Sequence, residues 1–143
     1  MERRKVTVQT IIGMKGKQRI AMITAYDYPT ARLVDQAGVD GILVGDSLGG
    51  MTVLGFENTL RVTLRDMLIH VAAVARAKPK ALLIADMPFM TYETGVRDAL
   101  RNASKLIRAG AEAVKPEGGQ EIFDVVNNLV KFGDSRDGGA HWA

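Results

Sequence analysis

Short apolar runs alternate with longer stretches whose apolar residues recur at helical spacing. The apolar runs predict four buried strands, at Ile20–Thr24, Ile42–Val44, Ala81–Ala85 and Glu112–Lys115. Helical spacing predicts a leading helix and four others, at Thr7–Met14, Pro29–Ala37, Thr63–Ala77, Gly95–Ala109 and Gln120–Phe132. Because the strands have no polar face and each precedes a helix, the pattern predicts a parallel sheet covered by helices.

Four strand–helix units correspond to half of an eight-stranded barrel. The expected fold class is therefore α/β, of the (βα)8 TIM-type barrel family, with the first four βα units forming a partial barrel. A small open doubly wound sheet is the alternative, and such a sheet usually binds its ligand at a single switch point. Polar residues that could bind a ligand or take part in catalysis follow each strand, and this distribution favours the barrel.

Composition narrows the class of protein without identifying it. The chain has 143 residues, of which 47% are apolar and 24% charged, so one globular domain is expected. Its net charge is only +3 and its basic residues are scattered, so we expect no nucleic-acid partner. The absence of cysteine excludes disulfides and fits a reducing compartment. With no apolar run of roughly 20 residues and no secretory segment, a cytoplasmic protein without a membrane partner is expected.

Three carboxylates follow three different predicted strands: Asp46, Asp86 and Glu117. Carboxyl ends of parallel strands meet at one edge of a sheet, and carboxylate oxygens suit Mg²⁺, so these residues are candidate metal ligands. Each could instead cap a helix or lie on the surface. Lys115 lies two positions before Glu117 and points the same way on an extended strand, so it requires an anionic partner, either a carboxylate or a substrate.

Ser47 follows Asp46 and has three interpretations. Its hydroxyl can donate a hydrogen bond to a bound carboxylate, or it can satisfy a turn. The segment Gly45–Leu48 also matches the opening motif of GDSL-type hydrolases, with Ser47 as the nucleophile. A hydrolase needs a base histidine, and the sequence offers only His70, within a predicted helix, and His141, near the end. The hydrolase is therefore the weaker hypothesis.

Four longer motifs together give a specific resemblance. They are Val44–Gly49, Thr63–His70, Ala85–Met90 and Lys115–Gly119. In order and separation they resemble the ketopantoate hydroxymethyltransferase (3-methyl-2-oxobutanoate hydroxymethyltransferase) family, barrel enzymes of pantothenate synthesis. The resemblance extends from about Thr7 to Gly133.

The resemblance implies a role for each matching residue. Asp46, Asp86 and Glu117 would surround Mg²⁺, directly or through water, while Asp46, Ser47, Asp86 and Lys115 would contact the 2-oxo acid 3-methyl-2-oxobutanoate. The implied reaction adds the one-carbon unit of the co-substrate 5,10-methylenetetrahydrofolate to the enolate of this acid, giving 2-dehydropantoate. The family's general-base glutamate belongs to the second half of the barrel, so no catalytic residue is assigned here. Family members are cytoplasmic homo-oligomers, typically decamers.

Two departures from the family pattern lead to further predictions. Pro116 replaces a common leucine, and inside a central strand it would remove a ladder hydrogen bond. The resemblance ends after Gly133, which predicts a half-barrel domain at 1–133 and a non-family tail at 134–143. One encoding of Asp134–Ala143, read one base later, gives Ile-Pro-Val-Met-Gly-Ala-His-Ile-Gly, similar to the family's next strand. We interpret the tail as the product of a frameshift, which gene sequencing tests. The alternative to an active transferase is a truncated, non-catalytic remnant of that enzyme with partial metal and substrate sites.

Overall fold

Four parallel strands form one sheet in the computed structural model, which describes residues 3–134. The strands are β1 (Met22–Thr24), β2 (Gly41–Val44), β3 (Leu82–Asp86) and β4 (Ala113–Lys115). Their spatial order is β1-β2-β3-β4, and all three pairings are parallel. Because spatial order follows chain order with no reversal, the sheet is part of a barrel rather than a doubly wound sheet, which confirms the predicted fold class.

Among residues 3–134, one α-helix precedes β1, four lie in the connections between successive strands, and one follows β4. They are α1 (Val8–Met14), α2 (Tyr28–Gln36), the single turn α3 (Asp46–Leu48), α4 (Leu64–Arg76), α5 (Val96–Ala109) and α6 (Phe123–Asp134). The five predicted helices are confirmed, with ends shifted by a few residues; a 3-10 turn at Gln120–Ile122 precedes α6. Across residues 3–134, no helix has both the length and the apolar character needed to cross a bilayer.

Two local predictions are corrected, the start of β1 and the effect of Pro116. β1 begins at Met22 rather than at Ile20, and the Ala21 N–H just before it donates to the Asp40 carboxylate. The connection from β2 towards the next long helix contains helical turns at Gly49–Val53 and Thr59–Arg61, the second capped by an asparagine side chain.

Pro116 does not interrupt the sheet. β4 ends at Lys115, so the proline follows the strand instead of lying inside it, and the ladder retains a 3.0 Å bond from the Met87 N–H to the Lys115 carbonyl. The predicted tail at 134–143 lies outside the described residues except for Asp134, which ends α6. Its origin by frameshift stays a prediction.

The hydrophobic core lies between the sheet and the helices. Its fully buried members include Ile42, Val44, Leu83, Val114, Val71, Leu106 and Leu129, which come from three strands and three helices. Burying each such side chain contributes about 1.5–3 kcal/mol, so the core fixes the strand ends relative to one another. β1 differs from the other strands: Met22 and Ile23 are about half exposed, as expected for a strand at the edge of a partial barrel.

Candidate functional site

The carboxyl ends of β2, β3 and β4 bring four predicted site residues together. Asp46 begins α3 immediately beyond β2, Asp86 is the last residue of β3, Lys115 is the last residue of β4, and Glu117 follows two residues later. In the sheet register Asp86 lies directly opposite Lys115. In barrel enzymes this edge of the sheet carries the catalytic and binding groups.

A lysine ammonium group bridges two of the carboxylates. Lys115 Nζ lies 2.8 Å from Asp86 Oδ1 and 2.6 Å from Glu117 Oε1. The backbone N–H of Asp46 donates to Asp86 Oδ2 at 3.2 Å, which ties the end of β2 to the end of β3. Asp86 is only 3% exposed, whereas the Glu117 side chain is 72% exposed. The cluster therefore has a buried end at Asp86 and a solvent-facing end at Glu117.

Burial and like charge make this cluster electrostatically unusual. Burial raises the pKa of Asp46 above its ordinary value, and the negative charges of Asp86 and Glu117 raise it further. Burial also raises the pKa of Asp86, although the hydrogen bond and charge of Lys115 act in the opposite direction. For Lys115, burial lowers the pKa, but the hydrogen bonds to Asp86 and Glu117 prevail, so the pKa is raised. Asp86 and Glu117 thus share the positive charge of Lys115, and a further cation nearby would stabilise the ionised carboxylates.

The donor set fits Mg²⁺ with some of its ligands supplied from outside the protein. Within residues 3–134, no three His, Cys, Asp or Glu side chains are arranged to hold a metal ion together. Asp46 and Asp86 nevertheless provide two hard oxygen donors whose mutual repulsion raises the pKa of Asp46. Mg²⁺ is commonly bound by one or two carboxylates together with waters and substrate oxygens. Participation of Glu117, whose carboxylate contacts Lys115, remains a prediction.

Ser47 lies beside this cluster without joining its ion pairs. It is the second residue of α3 and is exposed. The geometry gives no support to the hydrolase hypothesis: among the described residues His70 makes no hydrogen bond to Ser47, and its Nδ1 instead donates to the Tyr26 carbonyl oxygen at 2.9 Å. His141 lies outside the described residues.

Two tyrosines belong to the site although the sequence analysis gave them no role. The Tyr26 hydroxyl is buried, and a methyl group at Gly45 would lie 3.4 Å from both this hydroxyl and Asp86 Oδ2, so the two oxygens converge. The Tyr92 hydroxyl is hydrogen-bonded to both backbone polar groups of Glu117. Tyr26 lies two residues after the predicted strand end at Thr24, and that position was the available signal. Tyr92 lies in an irregular segment, where spacing carries no such signal.

Fold and site together define one half of a (βα)8 TIM-type barrel, the framework of an enzyme whose acidic groups meet at the strand ends. Solved structures agree on the fold. A 2,3-dimethylmalate lyase of the PEP mutase/isocitrate lyase superfamily matches with a TM-score of 0.60 and 20% identity, over 84% of this chain and 42% of that one. A phosphonopyruvate hydrolase in complex with oxalate and Mg²⁺ matches with a TM-score of 0.62 and 18% identity, over 87% of this chain and 46% of that one.

Sequence comparison identifies the family. The model of the ketopantoate hydroxymethyltransferase family matches residues 5–134, and the chain belongs to this family of transferases. It is 80% identical over 133 residues to 3-methyl-2-oxobutanoate hydroxymethyltransferase of Caldivirga maquilingensis and 75% identical over 133 residues to that of Pyrobaculum calidifontis. Each match covers 93% of this chain and 50% of the relative. The chain thus spans about half the length of the curated relatives it matches.

Proposed function

We propose that this chain forms the metal-binding and keto-acid-binding half of a hydroxymethyltransferase. The proposed reaction transfers the one-carbon unit of 5,10-methylenetetrahydrofolate to 3-methyl-2-oxobutanoate, giving 2-dehydropantoate in pantothenate synthesis. The observation that carries the proposal is the contact of buried Asp86 with Lys115, 2.8 Å apart, beside the carboxylate of Asp46. Membership of the family supplies the identities of the two substrates.

Asp46 and Asp86 would hold Mg²⁺, and Glu117 would do so directly or through water. When bound, the ion would act as a Lewis acid that polarises the keto oxygen of the acid. The chain's own part is to orient the Asp86 carboxylate and to favour its ionised form against the effect of burial. Hydrogen bonding from the Asp46 N–H fixes Asp86, and Lys115 supplies positive charge on its other oxygen.

Lys115 and Ser47 would bind the carboxylate of the keto acid. The pKa of Lys115 is raised, so its ammonium group is charged at neutral pH and can pair with an anionic substrate. Ser47 is exposed beside this group and can donate a hydrogen bond. With the acid held, the C3 proton passes to a base that residues 3–134 are not proposed to supply. The C3 carbanion then forms a carbon–carbon bond to the one-carbon unit, whose bonds to the two folate nitrogens break; water supplies the hydroxyl oxygen of the product, and tetrahydrofolate leaves.

Three further parts of the proposal rest on family membership. They are the folate co-substrate, assembly into a homo-oligomer of the decameric type, and a location in the cytoplasm. Size-exclusion chromatography of the purified chain tests the second of these. A decameric mass supports assembly like that of the family, whereas a monomer contradicts it for this chain.

Calorimetric titration of 3-methyl-2-oxobutanoate into the purified protein, with and without Mg²⁺, tests the binding role. We expect binding that requires Mg²⁺ and that is at least about tenfold weaker in Lys115→Met, because the variant lacks the charged partner of the substrate carboxylate. Lys105→Met, in an exposed position on α5, is the matched control and should bind normally. Equal binding by Lys115→Met and the control contradicts the proposal.

Turnover separates the enzyme from the remnant. Formation of 2-dehydropantoate is measured with the keto acid, the folate and Mg²⁺ present. Turnover that is lost in Asp86→Asn supports an active hydroxymethyltransferase. Mg²⁺-dependent binding of the acid without turnover supports a chain that retains the sites but not the catalysis.

A further inference from the structure

The Tyr92 hydroxyl forms hydrogen bonds with both backbone polar groups of Glu117, a residue of the proposed site. The Tyr92 hydroxyl donates to the Glu117 carbonyl oxygen at 2.7 Å and accepts from the Glu117 N–H at 3.1 Å. Tyr92 is 5% exposed, and burial raises its pKa, so the hydroxyl keeps its proton and can perform both roles. No strand or helix supplies these two hydrogen bonds, because Glu117 lies beyond the end of β4.

Few other interactions hold this part of the chain. Pro116 has no N–H to donate, and the Glu117 side chain is 72% exposed, so packing does not fix it. Gly118 has a φ of 158°, and a Cβ atom there would lie 2.9 Å from Ile122 Cγ1, so the backbone takes a path that only glycine allows. The tyrosine hydroxyl therefore makes the principal tertiary contact of the Glu117 backbone.

Tyr92 itself is firmly anchored to another strand–helix connection. The adjacent Thr91 donates to the Pro88 carbonyl from both its hydroxyl, at 2.6 Å, and its backbone N–H, at 3.1 Å. The Thr91 carbonyl accepts a 2.8 Å hydrogen bond from the side chain of Asn102 in α5. The connection after β3 thus carries a rigid phenol group to the connection after β4.

We propose that Tyr92 is a positioning residue, whose hydroxyl holds the Glu117 backbone so that the Glu117 carboxylate stays against Lys115 at the end of the acidic cluster. The importance of this position for metal and substrate binding rests on the proposed function. The contact itself does not, because it is a geometric property of two connections at the carboxyl end of the sheet.

Amide hydrogen exchange of the full chain tests the contact directly. Tyr92→Phe keeps the ring and removes the hydroxyl, so we expect the Glu117 amide to exchange at least about tenfold faster while the amides of β4 keep their rates. Tyr28→Phe is the matched control, since Tyr28 is partly exposed on α2, and it should change neither rate. An unchanged Glu117 rate in Tyr92→Phe overturns the proposal, and so does an equal loss of protection along all of β4.

A double-mutant cycle with Mn²⁺ tests whether Tyr92 acts through Glu117. Outer groups that orient metal ligands typically change metal affinity by about 10–100-fold, so Tyr92→Phe should weaken Mn²⁺ binding within that range. In the Glu117→Gln background the same change should have no further effect. A full effect of Tyr92→Phe in that background overturns the positioning role. If the unmodified protein binds no Mn²⁺, the proposed function fails, and the hydrogen-exchange result alone decides the role of Tyr92.

Discussion

The two ends of the sheet both carry acidic and basic side chains, but they use them differently. At the amino end, Asp35 accepts hydrogen bonds from two backbone N–H groups that lead into β3, at 3.0 and 2.8 Å, and pairs with Arg3. Glu112 accepts from the Leu83 N–H at 2.9 Å and pairs with Lys5. Each of these carboxylates is stabilised by backbone N–H groups and by one basic side chain of the same chain.

At the carboxyl end, acidic groups face one another. Asp86 accepts one backbone hydrogen bond, from Asp46, and pairs with Lys115, whereas burial and then the charges of Asp86 and Glu117 raise the pKa of Asp46. Carboxylates at both ends therefore connect elements of the fold, but only those at the carboxyl end also repel one another, and this repulsion leaves capacity for a bound cation. Function in barrels concentrates at this second end and stability at the first.

The largest expected effect tests the stabilising end. Asp35→Ala leaves two backbone N–H groups and Arg3 without their carboxylate, so we expect the free energy of unfolding to fall by about 2–4 kcal/mol. Urea denaturation measures the change, with Glu57→Ala as an exposed control expected within about 0.5 kcal/mol of the unmodified protein. A loss for Asp35→Ala no larger than the control's would show that the two ends do not differ in this respect.

Asp86→Asn tests the opposite end. The substitution removes a charge that burial disfavours, as the raised pKa of Asp86 indicates, although Lys115 loses a partner, so we expect the free energy of unfolding to change by less than about 1 kcal/mol. Mn²⁺ affinity should nevertheless fall at least about tenfold, because a metal ligand is lost.

Glu112→Gln is the matched variant at the amino end. It should destabilise the fold by about 1–2 kcal/mol, through the weakened contacts to Lys5 and the Leu83 N–H, and leave Mn²⁺ affinity unchanged. If both variants lowered stability and affinity in parallel, the proposed division of labour between the two ends would be wrong.

The pH dependence of stability sharpens the same comparison. The pKa values of Asp46 and Asp86 are raised in the folded state, so between the ordinary value of 3.8 and the folded values the native state binds more protons than the unfolded state. Their contribution to the free energy of unfolding must therefore decrease as the pH rises through that range. In the variant carrying both Asp46→Asn and Asp86→Asn, urea denaturation should show this decrease removed. An unchanged pH profile would contradict the assigned burial of these carboxylates.

Periodicity and strand-end position predicted most of this arrangement. Apolar runs are a local signal, and since β2 and β3 are buried on both faces, these runs located the two strands and hence Asp46 and Asp86. The spacing of Lys115 and Glu117 likewise anticipated side chains that lie 2.6 Å apart.

The missed features depend on contacts between segments distant in sequence. Tyr92 reaches Glu117 across 25 positions, and Asp35 reaches Ala81 across 46, and no local pattern encodes either pairing. The end of β4 at Lys115 was predicted correctly, whereas the loss of a ladder hydrogen bond expected from Pro116 was wrong, because the proline follows the strand. Sequence patterns thus predicted the positions of the candidate site residues, whereas the long-range hydrogen bonds that orient them could be identified only from the fold.

A carboxylate in the connection beyond β2 behaves like those at the amino end. Asp66 accepts from the Thr63 N–H at 2.8 Å and from its hydroxyl at 2.7 Å, and these bonds lower the pKa of Asp66. A group of this kind stabilises the fold fully above its unfolded pKa, and the contribution is lost as the pH falls through the folded value. Thr63→Ala removes half of this capping box and should lower the free energy of unfolding by about 1 kcal/mol near neutral pH.

Urea denaturation of Thr63→Ala at neutral and acidic pH completes the test. The deficit should shrink in acid, because protonated Asp66 no longer accepts strongly from its cap partners even in the unmodified protein. Thr94→Ala is a suitable control, since its hydroxyl contacts Asp98 on the exposed side of α5 without forming a capping box. If the Thr63→Ala deficit instead grew as the pH fell, Asp66 would resemble Asp46 and Asp86. The direction of a carboxylate's pKa shift would then depend on its position near the carboxyl end of the sheet rather than on the hydrogen bonds that it accepts.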